Sequence, residues 1–557
     1  MLAARAAAFE QAAADRMTLE RRWARLGVVG AGGSPRLVDW GDTRYQHLAL
    51  VESGGQYTLY GDGQAAYSFP DPYAYEHVVH TVMAQKPDAA RVLVIGGNPA
   101  GEIPVLLRYP LQRLVRVDLD AASDAMVRRA APSLLASAEA DPRLTTHHMD
   151  GVRYVKTASD LYDVILVRVP DPLTAGINRF YTREFYADAR RLLAPGGFLY
   201  TSVEASEQME QDAVRVAASV HKALKAEFPE VKVAAESPLP FFATCAPGSL
   251  TLDPGELERR WRRVAPRAEF FRPEYFSVSG AFAPDRVAAV ARRLASAGGE
   301  VNSLEHPVSC FRMLILWSRY SGSGAEAVMR WLEGVAIGKV YAVILLGFVL
   351  WLAAGIGRGA AWGKASIGLV MGGVGFAAVA LELLLLYAFQ GLRGYLYSQI
   401  GFLVAMFMLG AVVGARAAGA MGTAIPRKAA AGVAAGIGLL LLIAGTVSSL
   451  GVGRMSAWAI PAQVLLAGAA LGWTFVMVMR LMQGTGMSPG AAASAVDTCD
   501  YLGSAVGGFC TGIVLVPLFG FRETGLVVMT GLAACLLILA CVSRKGRETR
   551  QGAAIPP

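Results

Sequence analysis

The chain has 557 residues, of which 54% are hydrophobic and 17% are charged, and its net charge is +8. This composition is too apolar for an ordinary soluble protein and too charged for a protein that lies wholly within a membrane. The two properties are segregated, because the chain is charge-rich up to about residue 335 and dominated by long apolar runs beyond it. We therefore predict a water-soluble domain followed by a membrane domain.

The positive charge and the cysteines exclude further classes. Much of the excess charge flanks the apolar runs or lies in the tail SRKGRETR (543–550), where the preference for positive residues on the cytoplasmic side explains it. We therefore expect no nucleic-acid partner. The six cysteines show neither CxxC pairs nor Cys/His ligand spacing, so we predict no disulfide framework and no metal site.

The first part of the chain predicts a lead-in helix and a small β unit. Residues 1–35 have a helical pattern and lack the apolar core of a signal peptide. Short alternating runs, broken by Gly-Gly and Gly-Asp-Gly, then fill residues 36–70 and are typical of antiparallel strands with tight turns. A helix follows to about residue 85, so the β unit and its helix span 36–85.

Strands and helices alternate through residues 86–245. The predicted strands are VLVIGG, LVRVDLD, RLTTHHMDG, DVILVRVPDP and FLYTSVE. Helices are predicted between them at GEIPVLLRYP, ASDAMVRRAAPSLL and TREFYADARRLLAPGG, the last ending in a glycine C-cap. This alternation predicts a doubly wound, Rossmann-like parallel sheet. Ligands of such sheets bind beyond the carboxyl ends of the strands, so the motifs GGNPAG, DLD, MDG and RVPDP should converge on one cleft.

The remainder divides into an accessory region, a membrane domain and a tail. Residues 246–335 contain amphipathic helices and predict an accessory or linker region, and residues 546–557 form a basic tail. Within 336–545 there are seven apolar stretches, each long enough to cross a hydrocarbon core of about 30 Å. These stretches are 338–356, 367–389, 398–420, 429–448, 458–480, 495–518 and 524–542.

The loop GGNPAG (96–101) and two acids are the candidate nucleoside site. Glycines after a first strand let backbone amides approach a nucleotide, although a tight strand-to-helix turn has the same composition. Asp118 ends the second strand, where an acid can accept hydrogen bonds from both ribose hydroxyls. Asp150 ends the third strand, where a carboxylate or its neighbours can meet an adenine edge. The alternative for either acid is a helix N-cap or a solvated loop carboxylate. The candidate glycines are Gly96, Gly97, Gly101 and Gly151.

The order VLVIGG, VDLD, MDG and DVILVRVPDP, preceded by RYQHLAL and PDPYAYEH, resembles the spermidine synthases, or polyamine aminopropyltransferases, over about residues 36–245. The motif NRFYTREFY (178–186) and the membrane tail look like the membrane-fused bacterial members of that family. The resemblance implies a transferase of polyamine biosynthesis that uses decarboxylated S-adenosylmethionine, or S-adenosylmethionine, as co-substrate. It also implies a polyamine such as putrescine, or another amine, as acceptor, and a homodimer.

The resemblance also implies roles for single residues. Gln46 and Tyr75 correspond to residues that line the nucleoside and aminopropyl side of the family's site. Asp118 corresponds to the ribose-binding acid and Asp150 to the acid on the adenine side. Asp171 corresponds to the second acid of the family's D-x-x-D-P motif and is a candidate catalytic residue.

Four positions depart from the family pattern. Pro99 replaces an aspartate of the glycine loop, His77 replaces a glutamate, and ESPLPFF (236–242) lacks the tyrosine that helps to hold the polyamine. Arg168 replaces the first acid of D-x-x-D-P, the base that deprotonates the amine in the family. At an effective dielectric constant near 20, an arginine repels a cation about 4 Å away by roughly 4 kcal/mol. The catalytic motif is therefore degenerate. Arg168 could instead pair with Asp171 or bind an anion.

Charged residues in apolar helices are the candidates of the membrane domain. Such residues are costly and often functional, although a structural hydrogen bond explains them equally well. The candidates are Glu382, Asp497 and Asp500. With seven helices, the positive-inside rule would place the N-terminal domain outside the cell. Adenosyl co-substrates are cytosolic, so we expect a multi-pass protein of the inner (cell) membrane whose N-terminal domain is cytosolic and whose helices contact the lipid bilayer.

Three functions follow from these observations. The first is a membrane-anchored, spermidine synthase-like aminopropyltransferase. The second is a catalytically degenerate nucleoside-binding module that regulates a transporter-like helix bundle. The third is a transferase that uses S-adenosylmethionine with another acceptor, and a catalytic base elsewhere in the cleft would favour the first or the third.

Overall fold

The computed structural model describes residues 36–204, 211–320, 325–355, 360–394, 397–421 and 426–552. The lead-in helix predicted at 1–35 lies outside these residues. The chain divides into two compact units, Met1–Val301 and Asn302–Pro557, and this division falls inside the accessory region predicted from the sequence.

A small antiparallel sheet opens the first unit, as the sequence predicted. Its strands are β1 (Arg36–Asp42), β2 (His47–Ser53), β3 (Gln56–Gly61) and β4 (Gln64–Phe69), paired in that order. Gly54 and Gly55 turn the chain between β2 and β3 with φ of +60° and +85°, a conformation that glycine adopts without steric cost. The helix α1 (Pro72–Met83) follows, and the side chain of Asp71 caps its first turn.

The second sheet of this unit has seven strands in the order β10-β11-β9-β8-β5-β6-β7. The strands are β5 (Arg91–Gly96), β6 (Arg113–Asp118), β7 (Leu144–His148), β8 (Tyr162–Arg168), β9 (Leu193–Val203), β10 (Glu230–Val233) and β11 (Leu239–Thr244). β5 to β9 are parallel, which confirms the predicted Rossmann-like sheet. β10 and β11 join antiparallel at the β9 side and make the whole sheet mixed.

Helices cover this sheet and extend to the end of the unit. They are α2 (Glu102–Leu106), α3 (Ala121–Ala130), α4 (Pro132–Glu139), α5 (Gly151–Thr157), α6 (Ala175–Asn178), α7 (Arg183–Arg191), α8 (Gln211–Glu227), α9 (Pro254–Val264), α10 (Tyr275–Val278) and α11 (Pro284–Ser296). The single helix predicted across ASDAMVRRAAPSLL is two helices, because Pro132 lacks an amide hydrogen and starts a new one. The helix predicted to end at Gly196 ends at Arg191, since the following LAPGG already belongs to β9.

The core of the first unit is the parallel sheet itself. Val92, Leu93 and Val94 of β5 are fully buried, as are Val164 and Ile165 of β8. Parallel strands covered on both faces read as continuous apolar runs, which is why these segments could be recognised in the sequence. The polar residues that follow each run are therefore held at the carboxyl edge of a rigid sheet.

The second unit is helical. Its helices are α12 (Val308–Tyr320), α13 (Ala325–Glu333), α14 (Ile337–Ala354), α15 (Ala360–Arg393), α16 (Tyr397–Ala420), α17 (Pro426–Arg454), α18 (Ile460–Gln483), α19 (Pro489–Phe509) and α20 (Val516–Gly552), with a π-helix at Cys510–Leu515 between the last two. Six helical segments of the described residues are long and apolar enough to cross a membrane. The last, Pro489–Arg544, contains both final stretches predicted from the sequence and is broken at Gly520.

Two helices of the second unit break at glycines, and one loop bonds to both breaks. Gly451 and Gly520 have φ of +63° and +83°. Glu305 accepts a short hydrogen bond from the Val452 amide through its carboxylate, and its carbonyl accepts one from the Phe521 amide at 2.7 Å. Backbone groups released by these breaks thereby regain hydrogen-bond partners.

Candidate active site

The carboxyl ends of β5, β6 and β8 bring the predicted motifs to one edge. Gly96 pairs in register with Arg168 of the neighbouring strand β8, and the glycine loop continues from it. Asp118 ends β6, on the other side of β5, and pairs in register with His148 of β7. The reversal of strand order beside β5 is the position where open α/β sheets bind ligands.

The glycine loop requires glycine at its first two positions. Gly96 and Gly97 have φ of +76° and +75°, and a side chain at Gly96 would collide with the backbone carbonyl of Arg168. The amide of Gly97 donates to that same carbonyl at 2.9 Å. The backbone of the loop is therefore bonded to β8. The loop carries no side chain at the two positions that lie closest to the Arg168 carbonyl.

Asn98 and Tyr75 hold the rest of the loop, and Asn98 was missed in the sequence. The Asn98 side chain accepts a hydrogen bond from the Ala100 amide at 2.9 Å and donates one to the Tyr75 hydroxyl at 2.8 Å. The Tyr75 ring lies so close to Gly101 that a Cβ there would overlap it. Burial, and then Asp71 and Glu102, raise the pKa of Tyr75, so its phenol stays protonated.

Glu102, which the sequence analysis also missed, pairs with Arg168. Arg168 Nε lies 2.7 Å from Glu102 Oε1, and Glu102 Oε2 accepts the Asn98 amide at 2.9 Å. Burial lowers the pKa of Arg168, but the charge and hydrogen bond of Glu102, together with Tyr200 and Tyr181, outweigh burial and raise the pKa. The pairing with Asp171 suggested from the sequence is replaced by a pairing with Glu102, so the cation of the altered motif is neutralised inside the loop.

Asp118 has an arginine partner of its own. Arg116, whose side chain is 2% exposed, donates to Asp118 at 2.5 Å and to Asp124 at 2.6 Å. The amide of Asp120 donates to the other Asp118 oxygen at 3.1 Å. Burial raises the pKa of Asp118 although Arg116 opposes this. Each oxygen of a carboxylate accepts more than one hydrogen bond, so the held carboxylate still has acceptor capacity for ribose hydroxyls.

Asp150 is a buried helix cap. Its Oδ1 accepts the Arg153 amide at 2.9 Å at the start of α5, and Arg179 donates to its Oδ2 at 3.0 Å. Both charged side chains are less than 5% exposed. The adjacent Gly151 packs so tightly that a Cβ would approach Ile95. The geometry at Asp150 is that of the capping alternative considered from the sequence.

Gln46 and Asp171 each make a contact of their own. The Gln46 amide packs against Gly61 at the end of β3, where a Cβ would contact it. Asp171 Oδ1 accepts the Glu204 amide at 3.0 Å. Burial, and the charge of Glu204, raise the pKa of Asp171 to about 6, so this carboxylate accepts a proton near neutral pH.

His77 of α1 and Glu236 of the segment 236–242 form a hydrogen-bonded pair. His77 Nε2 makes a short hydrogen bond to Glu236 Oε1, and the Tyr275 hydroxyl donates to the same oxygen at 3.1 Å. The ring centroids of His77 and Tyr275 are 4.2 Å apart and nearly perpendicular. Glu236 is the first residue of the segment 236–242, which lacks the family's tyrosine but supplies a carboxylate.

No cluster of three or more His, Cys, Asp or Glu residues suited to a metal ion occurs among the described residues. In the second unit, Asp500 Oδ1 is buried without a hydrogen-bond partner in the described part of the chain, close to Gly375. Glu382 is half-buried in α15, and Asp497 is half-buried one turn before Asp500 in α19. These three candidates stay predictions.

Comparison with known families decides what the first unit is. Residues 72–245 match the family described as the Spermine/spermidine synthase domain. This part of the chain is similar to a spermine/spermidine synthase domain. The sequence resemblance is thereby confirmed for this part of the chain.

Curated relatives match the spermine/spermidine synthase domain and its surroundings. The polyamine aminopropyltransferase of Oceanobacillus iheyensis is 32% identical over 162 residues, which are 28% of this chain and 32% of that protein. That of Streptococcus pneumoniae is 32% identical over 177 residues, 31% of this chain and 59% of that protein. The chain thus spans about a third to three fifths of the length of these relatives.

Solved structures are similar to a part of this chain. A spermidine synthase bound to the transition-state analogue AdoDATO has a TM-score of 0.39 and 18% identity, and the match covers 47% of this chain and 88% of that one. The spermidine synthase of Thermotoga maritima has a TM-score of 0.38 and 19% identity over the same shares.

Proposed function

We propose that the spermine/spermidine synthase domain transfers an aminopropyl group from decarboxylated S-adenosylmethionine to an amine. The match of residues 72–245 to this family carries the proposal. The convergence of the glycine loop, Asp118 and the end of β8 at one sheet edge supports it, because a nucleoside needs close backbone approach and a ribose acceptor together.

In this proposal the donor lies across Gly96 and Gly97, with its ribose hydroxyls on Asp118 and its aminopropyl side towards Tyr75 and Gln46. The amine nitrogen attacks the carbon bonded to the sulfonium, a C–N bond forms, and the C–S bond breaks with its electron pair going to sulfur. Methylthioadenosine and the lengthened amine are the products. The attacking ammonium must first lose a proton, and the protein has to accept it.

Asp171 is the proposed proton acceptor. Position 168, which carries this role in the family, is an arginine already bound to Glu102. The pKa of Asp171, raised to about 6, places its conjugate acid closer to neutrality than an exposed aspartate would be. General bases work best when their pKa lies near the operating pH, and this carboxylate moves in that direction.

Product formation tests the proposal directly. The full chain in detergent is titrated with decarboxylated S-adenosylmethionine and separately with S-adenosylmethionine, and putrescine is then added. We expect tighter binding of the decarboxylated donor and formation of spermidine, detected by mass spectrometry. No binding of either donor contradicts the proposal, and methylated product from S-adenosylmethionine replaces it with a methyltransferase.

A second candidate is a nucleoside-binding module without turnover that regulates the helical unit. The Glu102–Arg168 pair favours it, because a permanent cation occupies the position of the family's base. Donor binding with no product from any amine would support this candidate. For either function we propose that the chain is a multi-pass protein of the cell membrane with its first unit in the cytosol, where adenosyl donors are made.

A further inference from the structure

A cavity of about 370 Å³ lies in the first unit beside Glu236. It is formed by the connection between β10 and β11, the segment from Tyr275 to Ala281, and the helix α11 (Pro284–Ser296). Its charged lining consists of Glu236, Arg286 and Arg293. The cavity is large enough for a small ligand, and no role has been assigned to it so far.

Glu236 presents one carboxylate oxygen to this cavity's surroundings without a protein partner. His77 and Tyr275 both bind its Oε1. Its Oε2 takes no hydrogen bond from any residue that the structure describes, and the side chain is 23% exposed. A carboxylate anchored by one oxygen and open at the other is suited to binding an ammonium group.

Two arginines on one helical face supply the opposite charge. Arg286 and Arg293 are seven residues apart in α11, so they lie on the same side of it. The Arg286 guanidinium lies directly against Gly280, where even a Cβ would collide with it. Within the described residues, Arg286 makes no hydrogen bond or ion pair. Its planar group therefore keeps all of its donors for a ligand.

We infer that this cavity binds the acceptor and that the acceptor is an amine carrying a carboxylate. The ammonium group binds Glu236, and the carboxylate binds the guanidinium groups of Arg286 and Arg293, whose forked donors match carboxylate geometry. A diamine without a carboxylate would instead bring a second cation up to the Arg286 guanidinium. This inference rests on the proposed transfer of a group to an amine and names the class of that amine.

The neutralised loop of the active site agrees with this class. Glu102 and Arg168 cancel each other, so the carboxyl edge of β8 attracts a dication less than an unpaired acid would. An acceptor that carries both charges requires less negative charge from the protein than putrescine does. The change at position 168 and the arginines of α11 therefore act in the same direction.

Ornithine and putrescine test the inference, because they are the same four-carbon diamine with and without a carboxylate. The full chain in detergent is saturated with methylthioadenosine, and each amine is titrated by calorimetry. We expect ornithine to bind at least tenfold more tightly than putrescine, as one added charge-assisted contact provides. Arg286→Gln should remove most of this preference, and Arg286→Gln with Arg293→Gln should remove all of it.

Arg292→Gln is the matched control. Arg292 is exposed on the same helix, is absent from the cavity lining, and loses the same charge. It should keep the preference for ornithine, and thermal unfolding should show all of these variants folded. Equal or tighter binding of putrescine by the unchanged protein overturns the inference, and so does a preference that survives the double substitution.

The methylthioadenosine titration separates this inference from the proposed function. If the nucleoside binds and putrescine is converted while ornithine is ignored, the proposed function stands and the carboxylate-bearing acceptor is wrong. If neither the nucleoside nor either amine binds, both are wrong.

Discussion

Arg168 Nε lies 2.7 Å from Glu102 Oε1, so the arginine at the end of β8 is held by the first residue of the helix that follows the glycine loop. The Glu102 side chain is only 4% exposed, and its second oxygen binds the Asn98 amide. The pair ties the loop to the neighbouring strand. An acid at position 168 would leave this edge of the sheet negatively charged, whereas the Glu102–Arg168 pair has no net charge.

Glu102→Gln tests the contribution of this pair to folding. Removing one partner of a buried ion pair leaves the other charge uncompensated, and the typical loss is about 3 to 5 kcal/mol. Because Arg168 is 24% exposed, we expect a loss below this range, about 2 to 3 kcal/mol. Thermal unfolding in detergent measures the change. Glu102→Gln with Arg168→Gln should recover part of the loss, and an equally unstable double variant would argue against a specific pairing.

Arg168→Asp should improve the binding of putrescine by the nucleoside-saturated protein. An acid attracts the diamine where the arginine repels it, by roughly 4 kcal/mol at 4 Å before screening, so a gain of tenfold is a modest expectation. Glu102→Gln is combined with it to avoid placing two carboxylates together. Arg183→Asp, an exposed arginine on α7, makes the same charge change elsewhere. Unchanged or weaker binding would mean that position 168 does not face the amine.

Asp118→Ala should abolish nucleoside binding. Hydrogen bonds to a charged group contribute about 1.5 to 3 kcal/mol each, so the loss of two ribose contacts predicts at least a hundredfold weaker binding in calorimetry. Asp160→Ala is the control, because Asp160 forms an exposed ion pair with Arg113 on the same unit. If affinity for methylthioadenosine is the same in the Asp118 variant and the unchanged protein, the ribose does not bind there.

The pKa of Asp171, raised to about 6, predicts a pH dependence of kcat/KM. Below pH 6 the carboxyl group is protonated and cannot take a proton from the acceptor, so the rate should rise as the pH increases through 6. Asp171→Asn should lower the rate strongly and lose this inflection. The ionisation of the amine adds its own rise at higher pH and is common to both proteins. An inflection near 6 that persists in the variant would assign it to another group.

The raised pKa of Asp171 predicts that folding stability falls as the pH rises, whereas activity rises. Because the pKa of the folded state lies above the usual aspartate value, ionisation is harder in the folded protein. The associated stability is therefore lost as the pH rises from about 4 to 6. Asp171→Asn should remove this loss while it lowers activity, which is a combination that general damage to the fold would not produce.

Glu76 predicts that the first unit loses folding stability at low pH. This fully buried carboxylate would have its pKa raised by burial, but the amides of residues 269–271 and Arg108 lower it to about 2. Its contribution to stability is thus present above pH 4.5 and lost as the pH falls towards 2. Glu76→Gln should cost about 3 kcal/mol at neutral pH and flatten the loss below pH 4. Glu258→Gln, a partly exposed control on α9, should leave this loss of stability unchanged.

Most of the fold of the first unit could be predicted because its strands are recognisable from their local sequence. The central residues of β5 (VLVI, 92–95) and β8 (VILV, 164–167) are all apolar, and a buried parallel strand permits little else. The hydrogen-bond partners of the polar residues could not be predicted in this way. His77 and Glu236, for example, are 159 positions apart, and no local pattern connects them. The pairing of Arg168 with Glu102 could be sought from complementary charge alone, but its choice over Asp171 depends on where α2 starts.

Helix ends were harder to predict for a related reason. The segment ending at Gly196 has good helical composition, but backbone pairing with β8 captures it from Leu193 onward. In the second unit, the sequence places an interruption between the stretches 495–518 and 524–542, but the break itself lies at Gly520, where the Phe521 amide donates to the Glu305 carbonyl. Tertiary partners decide both boundaries.

The loop that holds the two glycine breaks also determines where the chain can be divided. Glu305 supplies both a side-chain and a backbone acceptor to amides more than a hundred positions later, and His306 bonds to the Leu518 carbonyl at 2.9 Å. A fragment that began at the first long apolar helix, Ile337–Ala354, would lack these partners of the Val452 and Phe521 amides. Anyone wishing to produce the helices on their own should therefore start at Asn302 or earlier, at least 35 residues before Ile337.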